Sequence, residues 1–451
     1  MSDKLQLARL GLFDARVPRY TSYPTAAHFS AEVGPMDMRN WLRAIPAESD
    51  ISLYVHIPFC RRLCWFCACR TQGTRTLSPV RDYIEVLQAE LRLLARQLPT
   101  GTRLARLHWG GGTPTLLPPD LIETLAHAIF DLLPLADGAE FSVEIDPAEL
   151  DEARVAALAR MGMNRASIGV QDFDPAIQKT IGRVQSFEVT AKAVEMLRAT
   201  GIHSLNADIL YGLPGQTLAT VTASVNQLLS FHPDRVALYG YAHVPWMARR
   251  QGLIPTDALP RPEERLALFE GAAALFQGEG YQQIGIDHFA RPGDGLELAA
   301  RAGLWRRNCQ GYTEDRSDVL IGVGASAISR FPQGYAQNAP ATSAHIAAIR
   351  EGKFSTTRGH RLDEDDRLRA RMIEALMCDF CIRTEDLTAE YPNRTAEIAR
   401  ILTAVAEPFE GLVRSSDAGL FIADAARPLT RIVARHLDRY ELAQTGHSHA
   451  I

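Results

Sequence analysis

Four of the seven cysteines in this 451-residue chain stand inside ten residues. They are Cys60, Cys64, Cys67 and Cys69, in the stretch HIPFCRRLCWFCACR from His56 to Arg70, and their spacing is C-x3-C-x2-C-x-C. Thiolates gathered this densely hold soft metal centres. Two metal readings compete. A four-thiolate zinc site would use all four, but structural zinc sites present two separated knuckles. Cys67 and Cys69, one residue apart, would strain to reach the same face of one ion. The other reading takes Cys60, Cys64 and Cys67 as ligands to three irons of a [4Fe–4S] cluster, which leaves the fourth iron open for a small molecule. The spacing favours the cluster, with Phe59, Trp65 and Phe66 shielding it from water.

Other residues could serve the same centre. The run Gly110, Gly111, Gly112, Thr113 lets the backbone approach a ligand closely. It lacks the G-x4-G-K-S/T pattern of a nucleotide P-loop, and a plain turn is its alternative. Glu144 lies between apolar neighbours in a strand, where an unpaired carboxylate is costly, so it needs a ligand or a buried partner. Asp208, in NADILYG, is placed in the same way. Arg183 and Asp208 serve a ligand or pair with each other or with neighbours. Cys378 and Cys381 stand at C-x2-C spacing, Cys309 stands apart, and all three read as core cysteines. The HSH stretch from His447 to His449 reads as a disordered end.

These residues need elements to position them. Strand-like runs at 52–58, 103–109, 140–145, 164–170, 205–211 and 235–241 alternate with helical stretches at 82–98, 120–133, 153–162, 190–201 and 220–231, where apolar residues recur at three- and four-residue intervals. Six such units predict an α/β fold with a parallel sheet, an incomplete (β/α)6 TIM-like barrel whose functional rim lies past the strands' C-terminal ends. The cysteine loop, the glycine run, Asp146, Gln171 with Asp172, and GLPGQT all fall there. Residues 1–50 read as an extended arm, with PRYTSYPTA at 18–26, leading into a short helix near 36–45. Residues 51–290 read as the barrel, 291–360 as its extension, with strands at 281–290 and 318–331, and 361–451 as a mostly helical domain. Its hairpin at 411–424 suggests a winged helix, but 12 Arg/Lys against 16 Asp/Glu over 361–441 is the wrong sign for nucleic acid. Hydrophobic content of 46%, charged content of 22% and a net charge of -5 suit a globular protein with no drive toward polyanions or anionic lipid. No signal-peptide pattern or apolar run of about 20 residues is read, so a cytoplasmic location without a membrane is expected. In that reducing compartment a cysteine cluster points to metal or catalysis before disulfides.

The C-x3-C-x2-C spacing is the signature of the radical S-adenosylmethionine (SAM) enzymes. The stretches PRYTSYPTA, LYVHIPFCRRLCWFCACR, LHWGGGTPT, VEIDP, GVQDF, DILYGLPGQT, YAHVP, DHFARP, NCQGYT and GVGASAIS resemble, in order, the oxygen-independent coproporphyrinogen III oxidases. The resemblance implies a [4Fe–4S] cluster held by Cys60, Cys64 and Cys67, and SAM on its open iron. Cleavage of that SAM would give a radical that starts the decarboxylation of two propionates of coproporphyrinogen III to vinyl groups. It implies Tyr54, Phe66, Gly111, Glu144 and Ile328 around the first SAM. Gly112, Thr113, Gln171, Arg183, Asp208 and Ala242 would face a second. By themselves Ala242 and Ile328 read as core. Gln310 either reaches the site or is a loop amide. Cys69 becomes a functional residue near the substrate, against a free small side chain. Arg19 and Arg291 are candidates for propionate contacts or for structural pairs, and Tyr20 or Tyr23 for packing on the macrocycle. Expected partners are coproporphyrinogen III, an electron donor of flavodoxin or ferredoxin type and an electron acceptor; the chain is expected to be a monomer. Rival readings are a haem chaperone with the same cluster motif and a haem-degrading radical SAM methyltransferase. Cys69 and the PRYTSYPTA arm argue against the chaperone.

Overall fold

The computed structural model describes residues 2–308, 311–441 and 449–451. Strands and helices alternate from residue 50: β1 Asp50–Ile57, α1 Ser78–Ala95, β2 Arg103–Gly111, α2 Pro119–Phe130, β3 Leu135–Ile145, α3 Glu152–Arg160, β4 Arg165–Gln171, α4 Phe187–Ala199, β5 Ser204–Tyr211, α5 Leu218–Leu229, β6 Arg235–Gly240 and α6 Pro262–Gly278. The six strands pair in parallel in chain order. Their side chains alternate. Ile51, Leu53, Val55 and Ile57 of β1, Phe141, Val143 and Ile145 of β3, and Leu205, Ala207 and Ile209 of β5 are buried in the main hydrophobic core. The intervening positions, Tyr54, His108, Ser142, Glu144, Ser167, Asn206 and Asp208 among them, turn to the concave side.

That inner side is polar from end to end. At the strands' N-terminal end the guanidinium groups of Arg106, Arg165 and Arg235 interlock with Glu140, Asp294 and Glu314, for example Arg106 Nη1 to Glu140 Oε1 at 2.7 Å and Arg235 Nη2 to Glu314 Oε1 at 2.6 Å. Burial alone would raise the Glu140 carboxyl, but Arg165 and Arg106 hold it down at about 2. This network plugs the end away from the cysteines. The polar side chains of the other end are left facing a rim.

The barrel is not closed by hydrogen bonds; the sheet continues at both edges. Beyond β6 lie β7 Gln282–Ile284 and β8 His288–Ala290, with β8 antiparallel to both β6 and β7. Beyond β1 lie β9 Leu320–Val323, parallel to β1, then β10 Ile328–Phe331, β11 Gly334–Asn338 and β12 Thr356–Arg361, each antiparallel to the last. The strands expected at 281–290 and 318–331 are therefore hairpins. The backbone reverses at Gly285 (φ 60°), and again at Gly324 (φ 100°) and Ser326 (φ 63°), in the left-handed region that glycine enters without a Cβ penalty.

The C-terminal unit comprises α7 Glu364–Asp379, β13 Cys381–Arg383, α8 Thr384–Glu390, α9 Thr395–Ala406, the hairpin β14 Val413–Ser416 and β15 Gly419–Ile422, and α10 Thr430–Arg435. Cys378 is buried on α7 and Cys381 half-buried on β13, both as free thiols; Cys309 lies outside the described residues. The N-terminal arm is less extended than expected. It opens with a helix, Ser2–Arg9, and Leu12, Phe13, Val17, Tyr20 and Tyr23 share a core with Leu368, Leu376, Leu429 and Val433. The short helix at its end spans Pro35–Arg43. The tail reading also changes. Residues 447 and 448 are outside the described residues, but His449 bridges Arg16 in antiparallel fashion and Ala450 is buried, so residues 449–451 are packed. No helix among the described residues is long and apolar enough to cross a membrane.

Candidate functional site

The loop that follows β1 is pinned at its base, where Phe59–Cys60 pairs in parallel with Gln72–Gly73 and Thr74 N donates to the Cys60 carbonyl at 3.0 Å. Its tip is braced from three sides. Trp65 N donates to Ile181 O at 2.9 Å, and the indole lies so close to Gly182 (φ 69°) that a Cβ there would meet it at 2.9 Å. Arg250 Nη2 donates to the Cys69 carbonyl at 3.1 Å. Gln251, 1% exposed, donates through Nε2 to the carbonyls of Phe66 (2.6 Å) and Ala242 (3.0 Å) and accepts from Val244 N (2.6 Å).

Within this frame the four thiols divide. Cys60, Cys64 and Cys67 feel one another's charge, and burial pushes Cys60 up to about 11 and Cys64 upward. Arg183 offsets part of this, with Nη1 3.5 Å from Cys64 Sγ. Cys67 is held down at about 6, chiefly because Cys69 donates to its sulfur, from its side chain and from its backbone N–H at 3.4 Å. Cys69 is held well above its ordinary value by that same bond. The pair thus carries one proton, kept on Cys69. Thr113, buried against the loop with its N–H on Phe59 O at 2.8 Å, also hydrogen-bonds the Cys60 sulfur.

The glycine run lies beside the loop because nothing larger fits. A Cβ on Gly110 would stand 2.6 Å from Glu144 Oε1, one on Gly111 2.5 Å from the His56 ring, and one on Gly112 2.6 Å from Phe59 O. Gly111 N donates to Glu144 Oε2 at 3.0 Å, and His108 Nε2 lies 3.4 Å from Oε1. Burial would raise the Glu144 carboxyl; His108 and Gly111 more than offset this and hold it below its ordinary value. Tyr54 stacks on His108 at 5.8 Å between ring centroids. Its hydroxyl meets His56 Nδ1 at 3.0 Å. His56 Nε2 is 3.1 Å from the Arg70 carbonyl, which only accepts, so the neutral ring carries its proton on Nε2. Burial and the Glu144 charge push Asp208 up to about 7, with Asn206 Nδ2 donating to it at 3.2 Å. Gln171 closes β4 at φ 70° in a register shift against β5, and Arg183 Nη2 donates to Gly169 O at 3.0 Å. Arg183 also faces Asp146, at 3.5 Å, and not Asp208 as a direct partner.

Tyr54, Phe66, Gly111, Gly112, Thr113, Glu144, Gln171, Arg183 and Asp208 thus surround the cysteine loop on one rim. Ala242 joins it through Gln251, and Ile328 sits half-buried on β10, where its carbonyl packs on Gly322. Three candidates are corrected. Arg291 donates its N–H to Asp234 O, is exposed, and lies beyond β8 at the sheet's opposite end, because the hairpin reverses the chain. Tyr20 and Tyr23 are buried in the C-terminal core, their hydroxyls bound to Asp438 Oδ2 (3.0 Å) and Arg439 N (3.1 Å). Gln310 lies outside the described residues. His56 and His108 were missed, although polar residues in apolar strands gave the same signal as Glu144. Gln251 and Arg250 gave none.

Among the described residues no three His, Cys, Asp or Glu side chains converge as a single-ion site. The donor set itself, three thiols within one another's field beside a guanidinium and two aromatic rings, suits an anionic multi-iron centre. Comparisons with known proteins agree. Residues 54–228 match the radical SAM superfamily. The oxygen-independent coproporphyrinogen III oxidase of Paracoccus denitrificans is 63% identical over 451 residues, all of both chains. That of Bradyrhizobium diazoefficiens is 41% identical over 97% of this chain and 98% of its own. The coproporphyrinogen III oxidase of Escherichia coli, a radical SAM enzyme, superposes with a TM-score of 0.89 at 33% identity, covering 95% of this chain and 100% of that one.

Proposed function

This chain belongs to the oxygen-independent coproporphyrinogen III oxidases of the radical SAM superfamily, and from that premise we propose that it converts coproporphyrinogen III to protoporphyrinogen IX. Each of two propionates loses a hydrogen atom from its β-carbon, CO2 and one electron, leaving a vinyl group. Cys60, Cys64 and Cys67 would hold the [4Fe–4S] cluster. When bound, the cluster with SAM on its open iron supplies the one-electron chemistry that removes the hydrogen atom.

The protein's part is to bind, orient and exclude water. Glu144, ionised by its neighbours, would accept from the ammonium of a bound SAM, and the half-buried backbone of Gly111, without a Cβ, would let it come close. Tyr54, Phe66 and Ile328 would wall that ligand. Gly112, Thr113, Gln171, Arg183, Asp208 and Ala242 form the remainder of the rim, and we assign them to a second SAM. Cys69, protonated against Cys67, is the catalytic residue nearest the substrate. A flavodoxin- or ferredoxin-type donor would supply electrons, and a separate acceptor would take the last one from each propionate.

The observation that carries this reading is the C-x3-C-x2-C loop on the barrel rim, with Arg183 3.5 Å from Cys64 Sγ and the Glu144–Gly111 pair beside it. The test is anaerobic incubation of reconstituted protein with coproporphyrinogen III, SAM and a reductant, followed by chromatography of the oxidised porphyrins. Appearance of a tripropionate and then protoporphyrin is expected. Stoichiometric zinc in place of iron and sulfide, or unchanged substrate beside an intact cluster, would overturn it.

A further inference from the structure

A cavity of about 270 Å³ lies between the ends of β5 and β6 and the C-terminal unit, lined by Tyr241 and His243 on either side of Ala242. Five guanidinium groups line it, those of Arg19, Arg265, Arg307, Arg427 and Arg431, and Asp287 is the only carboxylate side chain among its described lining residues. Arg427 pairs outward with Asp424 at 2.7 Å, which leaves four guanidinium groups turned to the cavity. Arg265 and Arg431 are structural. Arg265 donates to the carbonyls of Gly212, Tyr241 and Ile451, and Arg431 to those of Val17, Pro18, His449 and Ala450. Burial, followed by the charge of Arg19, holds Arg431 below its ordinary value.

Arg19 and Arg307 are different. Among the described residues Arg19 gives one bond, Nη2 to the Gly240 carbonyl at 2.6 Å. Arg307 is 8% exposed and packs over the Tyr312 ring at 4.4 Å; its Nη1 stands 3.6 Å from Asp287 Oδ1, beyond hydrogen-bond reach, and among the described residues neither Nη1 nor Nε has a hydrogen-bond acceptor. A buried guanidinium with unused donors, in a cavity of excess positive charge, is complementary to a carboxylate held by two N–H groups. We propose that this cavity anchors a propionate carboxylate of the tetrapyrrole, with Arg19 and Arg307 as its ligands; the inference rests on the activity proposed above. Its volume is below that of a pocket for a drug-sized molecule, so it takes one arm and leaves the macrocycle on the rim beside Ala242. The anchored propionate is therefore a non-reacting one, whose binding orients the reacting arms.

The test is equilibrium binding, without reductant, of coproporphyrin III and of its tetramethyl ester to the reconstituted holoenzyme, followed by turnover. Wild-type protein should bind the acid at least tenfold tighter than the ester. Arg19→Gln and Arg307→Gln should each lose about tenfold in affinity for the acid and little for the ester, with KM for coproporphyrinogen III rising by the same factor and iron and sulfide content unchanged. Equal losses for acid and ester would show a packing defect, and unchanged affinities an idle cavity; either overturns the proposal. Should Arg307→Gln lose its iron through misfolding, Arg19→Gln, at a half-exposed position, decides. A wild-type protein that neither binds nor converts the porphyrinogen would sink the activity itself, an outcome separate from failure of the arginine variants alone.

Discussion

At the scale of single residues, the cysteine loop separates roles that spacing alone left open. Cys67 and Cys69 are two residues apart and share one proton, so the first is the better thiolate and the second a thiol. Alanine at Cys60, Cys64 or Cys67 should abolish the broad visible absorption of the anaerobic protein together with SAM cleavage. Alanine at Cys69 should keep iron and sulfide within about a tenth of wild type while porphyrinogen turnover falls by two orders of magnitude or more, as loss of a proton-transferring group commonly does. Iron loss in Cys69→Ala equal to that in Cys67→Ala would contradict the division. Sequence made Glu144 and Asp208 legible through one physical rule, that an ionisable group in an apolar strand needs a reason to be there. Applied evenly, the rule also finds His56 and His108. It could not find Arg307, whose neighbours in sequence are themselves polar and whose unused donors appear only when Asp287, Tyr312 and α10 close around it.

At the scale of elements, periodicity located β1 to β6 and their helices, because each strand has one face in the apolar core and each helix one stripe against it. It failed at the two hairpins, where a short glycine turn interrupts a run of strand-forming residues without breaking its pattern. Periodicity also says nothing about bracing. Gln251 sits in a short 3-10 helix, Arg249–Leu253, and ties the Phe66 carbonyl, next to Cys67, to Ala242 and Val244. Gln251→Ala would leave these buried groups unpaired, at about 1–3 kcal/mol each before water enters. The expected result is a lower melting temperature and slower cluster reconstitution, with porphyrin affinity affected less than iron retention. A second buried device has a pH signature. Glu90 of α1, 2% exposed, accepts from Gly324 N (2.8 Å) and Asn338 Nδ2 (2.7 Å), joining α1 to the turn after β9 and to β11, and burial pushes its carboxyl from 4.5 up to about 8. Its neighbour His345, at 3.4 Å, is held down to about 4 by burial and is neutral in both folded and unfolded chains above pH 6.5. The folded state therefore holds a proton on Glu90 that the unfolded state has released, and the stabilisation this gives is lost as pH rises through about 8. Denaturant midpoints should fall between pH 6.5 and 8.5, and Glu90→Gln should flatten that slope even if its midpoint is lower throughout. A parallel slope in the variant would remove Glu90 as the cause.

At the scale of the whole molecule, the two ends of the chain form one body. Tyr20 and Asp438 are 418 residues apart and hydrogen-bonded, Tyr23 receives the N–H of Arg439, and Arg431 holds the carbonyls of Val17 and Pro18. Composition marked the arm only as too poor in aliphatic residues for a core of its own. It could not show that a core 350 residues downstream would complete it, since no local pattern encodes such a pairing. The consequence is a strap that begins in the C-terminal unit and reaches the barrel rim at Gly240 through Arg19. If arm and C-terminal unit form one cooperative unit, damage to either should loosen both and spare the parallel strands. Tyr20→Phe removes a hydroxyl from a buried carboxylate, at about 1–3 kcal/mol. Tyr20→Ala adds a core cavity, for about 3–5 kcal/mol in all. In both variants, and more in the second, amide hydrogen exchange should accelerate together in residues 12–23 and in α10, while β1 to β5 keep wild-type protection. Iron content should follow the strands and stay constant, whereas affinity for coproporphyrin III should follow the arm, because Arg19 would no longer be held over the cavity. Exchange that quickens in residues 12–23 alone, with α10 unmoved, would show the arm to be an appendage laid on a unit already complete without it.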